Sequence, residues 1–318
     1  MKKITLLLFI FSFNLFSQDL KKVDKIIYSY HSITSAEQLA KRIDYDFKTD
    51  LEKLKAIYTW TALNIAYYEE KTLLLTAPRI VVYTDESDLK RREIRKNKKL
   101  LLEAFTTRKA VCTGYALTVK KMCDLLNLEN ELVKGYARVN TRDIEYLPED
   151  KNHVWNAVKI DNKWVFMDVT FGSGYLVNGN WKPELNNYFF NIPIKNLKKT
   201  HYPSKKKWLD LMEQNSLKEF SYNPVFYNPF FISKAKLISP LDGKINIKGN
   251  KKIVLNLKDI KYSTKISYSY NKDIYTKDIK TLKSEDYKKI IIKSPNKDSD
   301  LNIYFNNQLA LQYRVVVK

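Results

Sequence analysis

Between residues 108 and 128, apolar side chains recur at Cys112, Tyr115, Ala116, Val119, Met122, Cys123 and Leu126. That is the i, i+3, i+4, i+7 spacing of a helix with one buried face. Lys120, Lys121 and Asp124 fall on its other side. The spacing predicts a core helix that begins at Cys112, after a short extended approach over residues 109–111. Upstream, residues 35–68 read as helical. Ser35 caps them, with Glu37 nearby, and Leu51, Leu54, Ile57, Tyr58 and Leu63 supply the apolar stripe. Trp60 is expected to pack in that stripe's core.

Beyond the Cys112 helix the period changes to two. Residues 132–139 read as a strand, with Gly135 permitting close backbone approach, and residues 140–152 as a polar loop. His153-Val-Trp-Asn-Ala-Val-Lys-Ile, then Asp161-Asn162, then residues 163–170 read as a β-hairpin around a two-residue turn. That turn pairs Ile160 with Lys163, Trp155 with Asp168 and His153 with Thr170. His153 and Asp168 then share one sheet face as diagonal neighbours, roughly 7–8 Å apart. A turn longer by one residue would put them on opposite faces.

From about residue 233, short alternating runs at 236–238, 244–247, 253–257, 265–270, 289–292, 301–305 and 310–317 are separated by turn residues. They predict a small β-sandwich, for which an immunoglobulin-like arrangement is one form. The fold class is therefore α+β: a helical part on an antiparallel sheet, then an all-β domain. The expected division is a leader over 1–17, a first domain over 18–232 and the sandwich over 233–318.

The chemistry starts at Cys112. A first helical turn carries unpaired N–H groups and the positive end of the helix dipole, and both favour a thiolate. The alternative is a small buried hydrophobe, the commoner fate of an unpaired cysteine. Of the three histidines, His31, His153 and His201, His153 has a carboxylate within reach. A base oriented by a carboxylate and facing a thiol is a nucleophile–base–orienter arrangement. Taken singly, His153 also reads as a surface-strand residue and Asp168 as a strand-end turn former. Cys112 and Cys123 would lie roughly 16 Å apart along one helix, too far for a disulfide. Neither has a histidine at metal-ligand spacing, so zinc is not expected.

Val-Cys112-Thr-Gly-Tyr-Ala, Gly135-Tyr-Ala-Arg138, His153-Val-Trp-Asn-Ala-Val, Trp164 and Asp168-Val-Thr-Phe-Gly together resemble the transglutaminase-like superfamily. Within it, the branch that includes the kyphoscoliosis peptidase is the most similar, through Tyr58-Thr-Trp60, Tyr188-Phe-Phe and His201-Tyr-Pro203. The resemblance spans about residues 35–224. It implies a papain-like core and a Cys112, His153, Asp168 triad acting on amide bonds of proteins or peptides. It also places Trp60 near the acyl site, and Thr113 and Trp155 complete the candidate substrate-contacting set. The chain departs from the family at Phe171, where Trp is more usual, and over residues 69–101. His201 reads as structural despite its match to the family.

The acyl-enzyme would meet water, giving peptidase or amidase action, or an amine, giving cross-linking; no cofactor is implied. Hydrolysis is the expected fate because the similar branch is named as a peptidase. The rival is a non-enzymatic binding or structural protein of the cell envelope that keeps the fold. Loop 140–152, next to the histidine, is placed to select substrates.

Met1-Lys-Lys followed by apolar residues 4–16 reads as a secretory signal peptide cleaved after Ser17, with an N-terminal membrane anchor as the alternative. No other stretch is apolar enough to span a bilayer, so the mature protein is expected to be exported. The formal net charge is +21, mostly dispersed lysine. The one dense run, 90–99, reads as a solvated helix face, with anionic envelope polymers as the alternative partner. It lacks interleaved aromatics, which argues against nucleic acid.

Overall fold

The computed structural model describes residues 15–68, 83–177, 180–249, 251–279, 281–283 and 287–318. The expected leader, residues 1–17, lies outside the described residues except for its last three. These begin helix α1, Leu15–Ile27. Among the described residues no helix is long and apolar enough to cross a membrane. Backbone contacts group the chain into two units, residues 1–133 with 154–192 and residues 134–153 with 193–318.

In the first unit, α1 is followed by α2 (Ala36–Asp46) and α3 (Asp50–Asn64). Ser35 caps α2 by accepting from the Gln38 backbone N–H at 3.1 Å. The single helix expected over 35–68 is thus two. Thr49 and Glu52 form a capping box that starts α3 afresh, their side chains and backbone N–H groups satisfying each other. Strand β1 (Ala66–Tyr67) precedes α4 (Glu86–Thr107), whose basic run is exposed. Then come β2 (Lys109–Ala110) and α5 (Cys112–Leu125). Leu39, Ile43, Leu54, Ile57, Trp60, Tyr115, Val119 and Met122 bury together in one core. It draws on α2, α3 and α5, and the Cys112 stripe supplies its face as expected.

Strand β3 runs Asn130–Ala137, β4 His153–Ile160 and β5 Lys163–Met167. The short helix α6 follows (Val169–Gly172), and β6 (Gly174–Val177) and β7 (Asn180–Pro183) form a hairpin. After α7 (Ile194–Thr200), strand β8 (His201–Pro203) completes a four-stranded sheet in the order β5–β4–β3–β8. The β4–β5 register pairs Ile160 with Lys163 and Asn156 with Met167. Its turn residues Asp161 and Asn162 both have positive φ, 48° and 61°, as a two-residue primed turn requires. The second strand stops at Met167, short of the expected Thr170. Asp168 caps a helical turn there, its side chain accepting from the Phe171 N–H at 3.1 Å.

In the second unit, the strands that begin at Lys236 form two sheets. One pairs 236–239, 253–258, 288–292 and 281–283. The other pairs 244–247, 308–317, 299–305, 266–270 and 277–278, with Val225–Phe226 on the long strand. Leu255, Leu257 and Ile290 from the first and Leu301, Ile303, Tyr313 and Val315 from the second share one core. This is a β-sandwich, mostly antiparallel, with 244–247 parallel to 314–317. All seven expected runs are strands. Two very short ones, 277–278 and 281–283, were not foreseen.

Candidate active site

The start of α5 is built by three local devices. Arg108 ends α4 in the left-handed region (φ 56°) and turns the chain back. Lys109–Ala110 then pairs in parallel with Ala66–Tyr67. Gly114 lets the helix pass close to that strand, because a Cβ there would lie 2.7 Å from the Ala110 Cβ. The helix has no side-chain cap. Val111 begins it with its carbonyl, which accepts from Gly114 at 2.8 Å and Tyr115 at 3.2 Å. The Tyr115 hydroxyl donates to the Ile65 carbonyl, tying α5 to the end of α3. Cys112 and Thr113 are half-buried in this first turn, whose N–H groups point out along the helix axis.

Cys123 differs in kind. It is fully buried, desolvation pushes its thiol far up from the ordinary range, and Asp124 adds to the rise. Neither cysteine forms a disulfide.

His153 opens β4 and is buried. The residue before it sets its entry. Asn152 accepts from the Ala137 N–H at 2.8 Å and donates to the Ala137 carbonyl at 3.1 Å, so one side chain does the work of a strand neighbour. On β4, Val158 and Ile160 face the helical core with Val165 and Met167 of β5. Trp155 and Ala157 of the same strand are buried as well.

Asp168 is 1% exposed. Its backbone N–H donates to the Phe189 carbonyl at 3.0 Å and its own carbonyl accepts from Gly172 at 3.0 Å, so the residue is fixed from both sides. Tyr58 is fully buried nearby. Burial, and after it the Asp168 charge, holds its phenol well above the ordinary range. Trp60 stacks on Phe105 at 5.5 Å with the Arg108 guanidinium 4.8 Å from its ring, and its indole N–H is a buried donor with no acceptor.

On the sheet, one donor atom each from His153, Asp168 and His201 lies within 4.8 Å of the others, all three residues buried. Two imidazoles and a carboxylate suit either a hydrogen-bonded cluster or a cation, and among the described residues this is the group whose side chains offer a metal such a set. His201, read from sequence as structural, thus belongs with His153 and Asp168. It pairs with Ala137 at the sheet edge, its ring centroid is 5.6 Å from that of His153, and its Nδ1 lies 2.8 Å from the Thr200 hydroxyl. The available signal was the His-Tyr-Pro match together with the scarcity of histidine.

Residues 37–169 match the sequence profile of the transglutaminase-like superfamily. Over 244 residues the chain is 25% identical to the human kyphoscoliosis peptidase, covering 73% of this chain and 34% of that protein. It is 21% identical over 199 residues to the LIM and transglutaminase domain protein ltd-1 of Caenorhabditis elegans, covering 58% and 28%. The chain thus spans about a third of the length of these curated relatives. A crystal structure of a TGase aligns with a TM-score of 0.30 at 18% identity, covering 54% of this chain and 41% of the other. The match to the transglutaminase-like superfamily thus runs from α2 to just beyond Asp168.

Proposed function

We propose that this protein is an exported thiol enzyme that acts on amide bonds of proteins or peptides through an acyl-enzyme. Cys112 is the nucleophile, and His153 takes its proton and later returns one to the leaving amine. Asp168 fixes the imidazole tautomer and steadies the imidazolium. The Cys112 N–H, at an uncapped helix start, is a natural donor to the tetrahedral oxyanion. Thr113, half-buried in the first turn of α5, contacts substrate in this reading, whereas Trp60 and Trp155, 0% and 1% exposed, support the site from within the core. Residues 18–232 hold the machinery, and 233–318 serve for binding or spacing. Residues 1–17 direct export, and run 90–99 is the surface for anionic envelope polymers.

The observation that carries the reading is the meeting of His153 and Asp168 on the sheet, in a chain whose family profile also covers Cys112. The acyl-enzyme meets water, giving a peptidase or amidase. Transfer to an amine is the second outcome, favoured only if a primary amine raises turnover.

Iodoacetamide modification across pH tests the nucleophile. Cys112 should react well below the ordinary thiol range, near pH 8.5, while the desolvated Cys123 stays unmodified. Mass spectrometry after incubation with a peptide library should find the acyl adduct on Cys112 and none on a Cys112→Ala protein. An inert Cys112 and no adduct would favour the non-enzymatic envelope protein.

A further inference from the structure

At one end of the β-sandwich, the hairpin tip between Ile266–Tyr270 and Lys277–Asp278 carries Ile274 and Tyr275, which are 88% and 82% exposed. Two adjacent large apolar side chains standing almost wholly in water add nothing to the core beneath them. The tip is nonetheless firmly based. The Asp273 N–H donates to the Tyr270 carbonyl at 2.8 Å, and the Tyr270 N–H donates to the Asp273 carboxylate at 2.9 Å. The Lys277 ammonium reaches both Asp273 oxygens at 2.9 Å, and the Asn271 side chain donates to Asp300 at 2.7 Å. Ile274 and Tyr275 are thus presented on a fixed turn, and binding through them costs little ordering.

Strand directions gather lysines at the same end. Ile247 pairs with Val317, Tyr270 with Leu301 and Ile253 with Ile292, so the connections that follow Ile247, Tyr270 and Ile292 all leave from it. The Tyr270 hydroxyl donates to the Lys293 carbonyl at 2.8 Å and ties the two sheets together there. These connections carry Lys248, Lys251, Lys252, Lys272, Lys293 and Lys297, all exposed. Asp273 and Asp300 are engaged as above, and Asp298 accepts from the Val317 N–H at 2.9 Å. Among the described residues none of the six lysines is held by a carboxylate. The opposite end differs, with Lys236 paired to Asp259 at 2.7 Å and Lys265 to Asp278 at 3.4 Å.

We propose that this end of the sandwich docks on an anionic lipid bilayer, with Ile274 and Tyr275 dipping into the headgroup boundary and the lysines lying over the headgroup phosphates. The lysines alone would suit any polyanion. The apolar pair singles out lipid, because it gains only by leaving water. Each lysine close to such a surface strengthens binding about fivefold. The proposal goes beyond the acyl-transfer reading and does not depend on it.

Vesicle binding of the full chain tests it, read at the tip itself because residues 4–16 are apolar and common to every variant. In a Cys112→Ala/Ile274→Cys protein the exposed thiol takes a nitrobenzoxadiazole dye, Cys123 being fully buried. It is titrated with vesicles of phosphatidylcholine alone and of phosphatidylcholine with an equal part of phosphatidylglycerol. Dye emission should brighten and shift to the blue with the mixed vesicles only. Changing Lys251, Lys252, Lys272 and Lys297 together to Gln should raise the lipid concentration at half-signal at least tenfold. Tyr275→Ser should raise it about tenfold, the worth of one apolar side chain withdrawn from water. All of these positions are exposed, so the variants should fold as the wild type does. No shift with either vesicle, an equal shift with both, or an unchanged midpoint in the lysine variant overturns the proposal. Retention on dextran sulfate that Tyr275→Ser leaves intact, with no dye shift on vesicles, would assign the lysines to an anionic polymer and overturn the lipid reading.

Discussion

The Asn156 side chain donates to the Ala116 carbonyl at 3.0 Å, fully buried, and so fastens the histidine strand to the helix that Cys112 begins. Asn156 stands three residues after His153 in sequence, and Ala116 four residues after Cys112. The helix-facing side of β4 is otherwise apolar, Val158 and Ile160. A lone amide there specifies one sliding position of strand against helix, where apolar contacts would tolerate several. Asn156→Leu should keep the fold, because the loss of one buried bond amounts to roughly 1–3 kcal/mol. Turnover should fall by more than that stability loss explains. Denaturant melts and kcat measured on the same preparation check it, and a kcat equal to wild type would remove Asn156 from the positioning machinery.

Gly172 gives a sharper test of how Asp168 is held. A Cβ at Gly172 would lie 1.9 Å from the Tyr58 hydroxyl and 2.7 Å from its Cζ. The helical turn capped by Asp168 therefore closes only over a glycine. Tyr58 cannot easily yield, since its hydroxyl donates to the Asn186 carbonyl at 2.5 Å. Gly172→Ala should destabilise by about 3 kcal/mol, the upper range for overpacking. Adding Tyr58→Phe should restore part of this, because it removes the oxygen and leaves the ring carbon. Thermal melts of the single and double variants decide, and additive losses would show that the clash is relieved elsewhere.

How far the chain could be read in advance follows from the range of each signal. The β4–β5 register was legible because Asp161-Asn162 is a local turn with positive φ at both residues, and the seven sandwich runs because alternation is local too. The end of β5 was not. Val-Thr after Asp168 has strand propensity, and only the cap to Phe171 reveals the helical turn. The break between α2 and α3 was written in Thr49 and Glu52, but the apolar stripe runs on through it and masked the capping box. His201 is the instructive omission. It reaches His153 only because β8 returns to the edge of β3, a pairing between residues 137 and 201 that no periodicity encodes.

Asp168→Asn separates the chemical from the structural role of that carboxylate. Asparagine caps a helix as well as aspartate does, so the bond to the Phe171 N–H and the melting temperature should survive. What changes is the charge and the tautomer offered to the imidazole, with an expected loss of roughly a thousandfold in kcat and little change in KM. Kinetics on a trapped peptide substrate measure both. A fully active variant would leave Asp168 as a cap alone.

The buried charge network beneath the helices makes the last prediction. Lys55, 2% exposed, donates to Asp24, to Thr59 at 2.7 Å and to Asn187 at 2.9 Å, while Asn187 donates to the other Asp24 oxygen at 2.8 Å. It joins α1 to α3 and to the 187–189 turn whose Phe189 carbonyl receives the Asp168 N–H. Cleavage after Ser17 would leave Asp24 in place. Breaking one side of such a pair leaves a bare buried charge, so Asp24→Asn should destabilise by about 3–5 kcal/mol, and adding Lys55→Met should recover most of it. The pH dependence has a definite sign. Burial chiefly, against the opposing pull of Asp24, lowers the Lys55 pKa in the folded protein. The unfolded chain therefore binds this proton more tightly, and the Lys55 contribution to stability rises with pH between the lowered value and the unfolded one near 10.4. Across pH 8 to 10.5 the wild type should gain stability relative to the Asp24→Asn/Lys55→Met protein. A constant difference between their melting curves would mean that Lys55 holds its proton as firmly folded as unfolded, with Asp24 fully offsetting the desolvation.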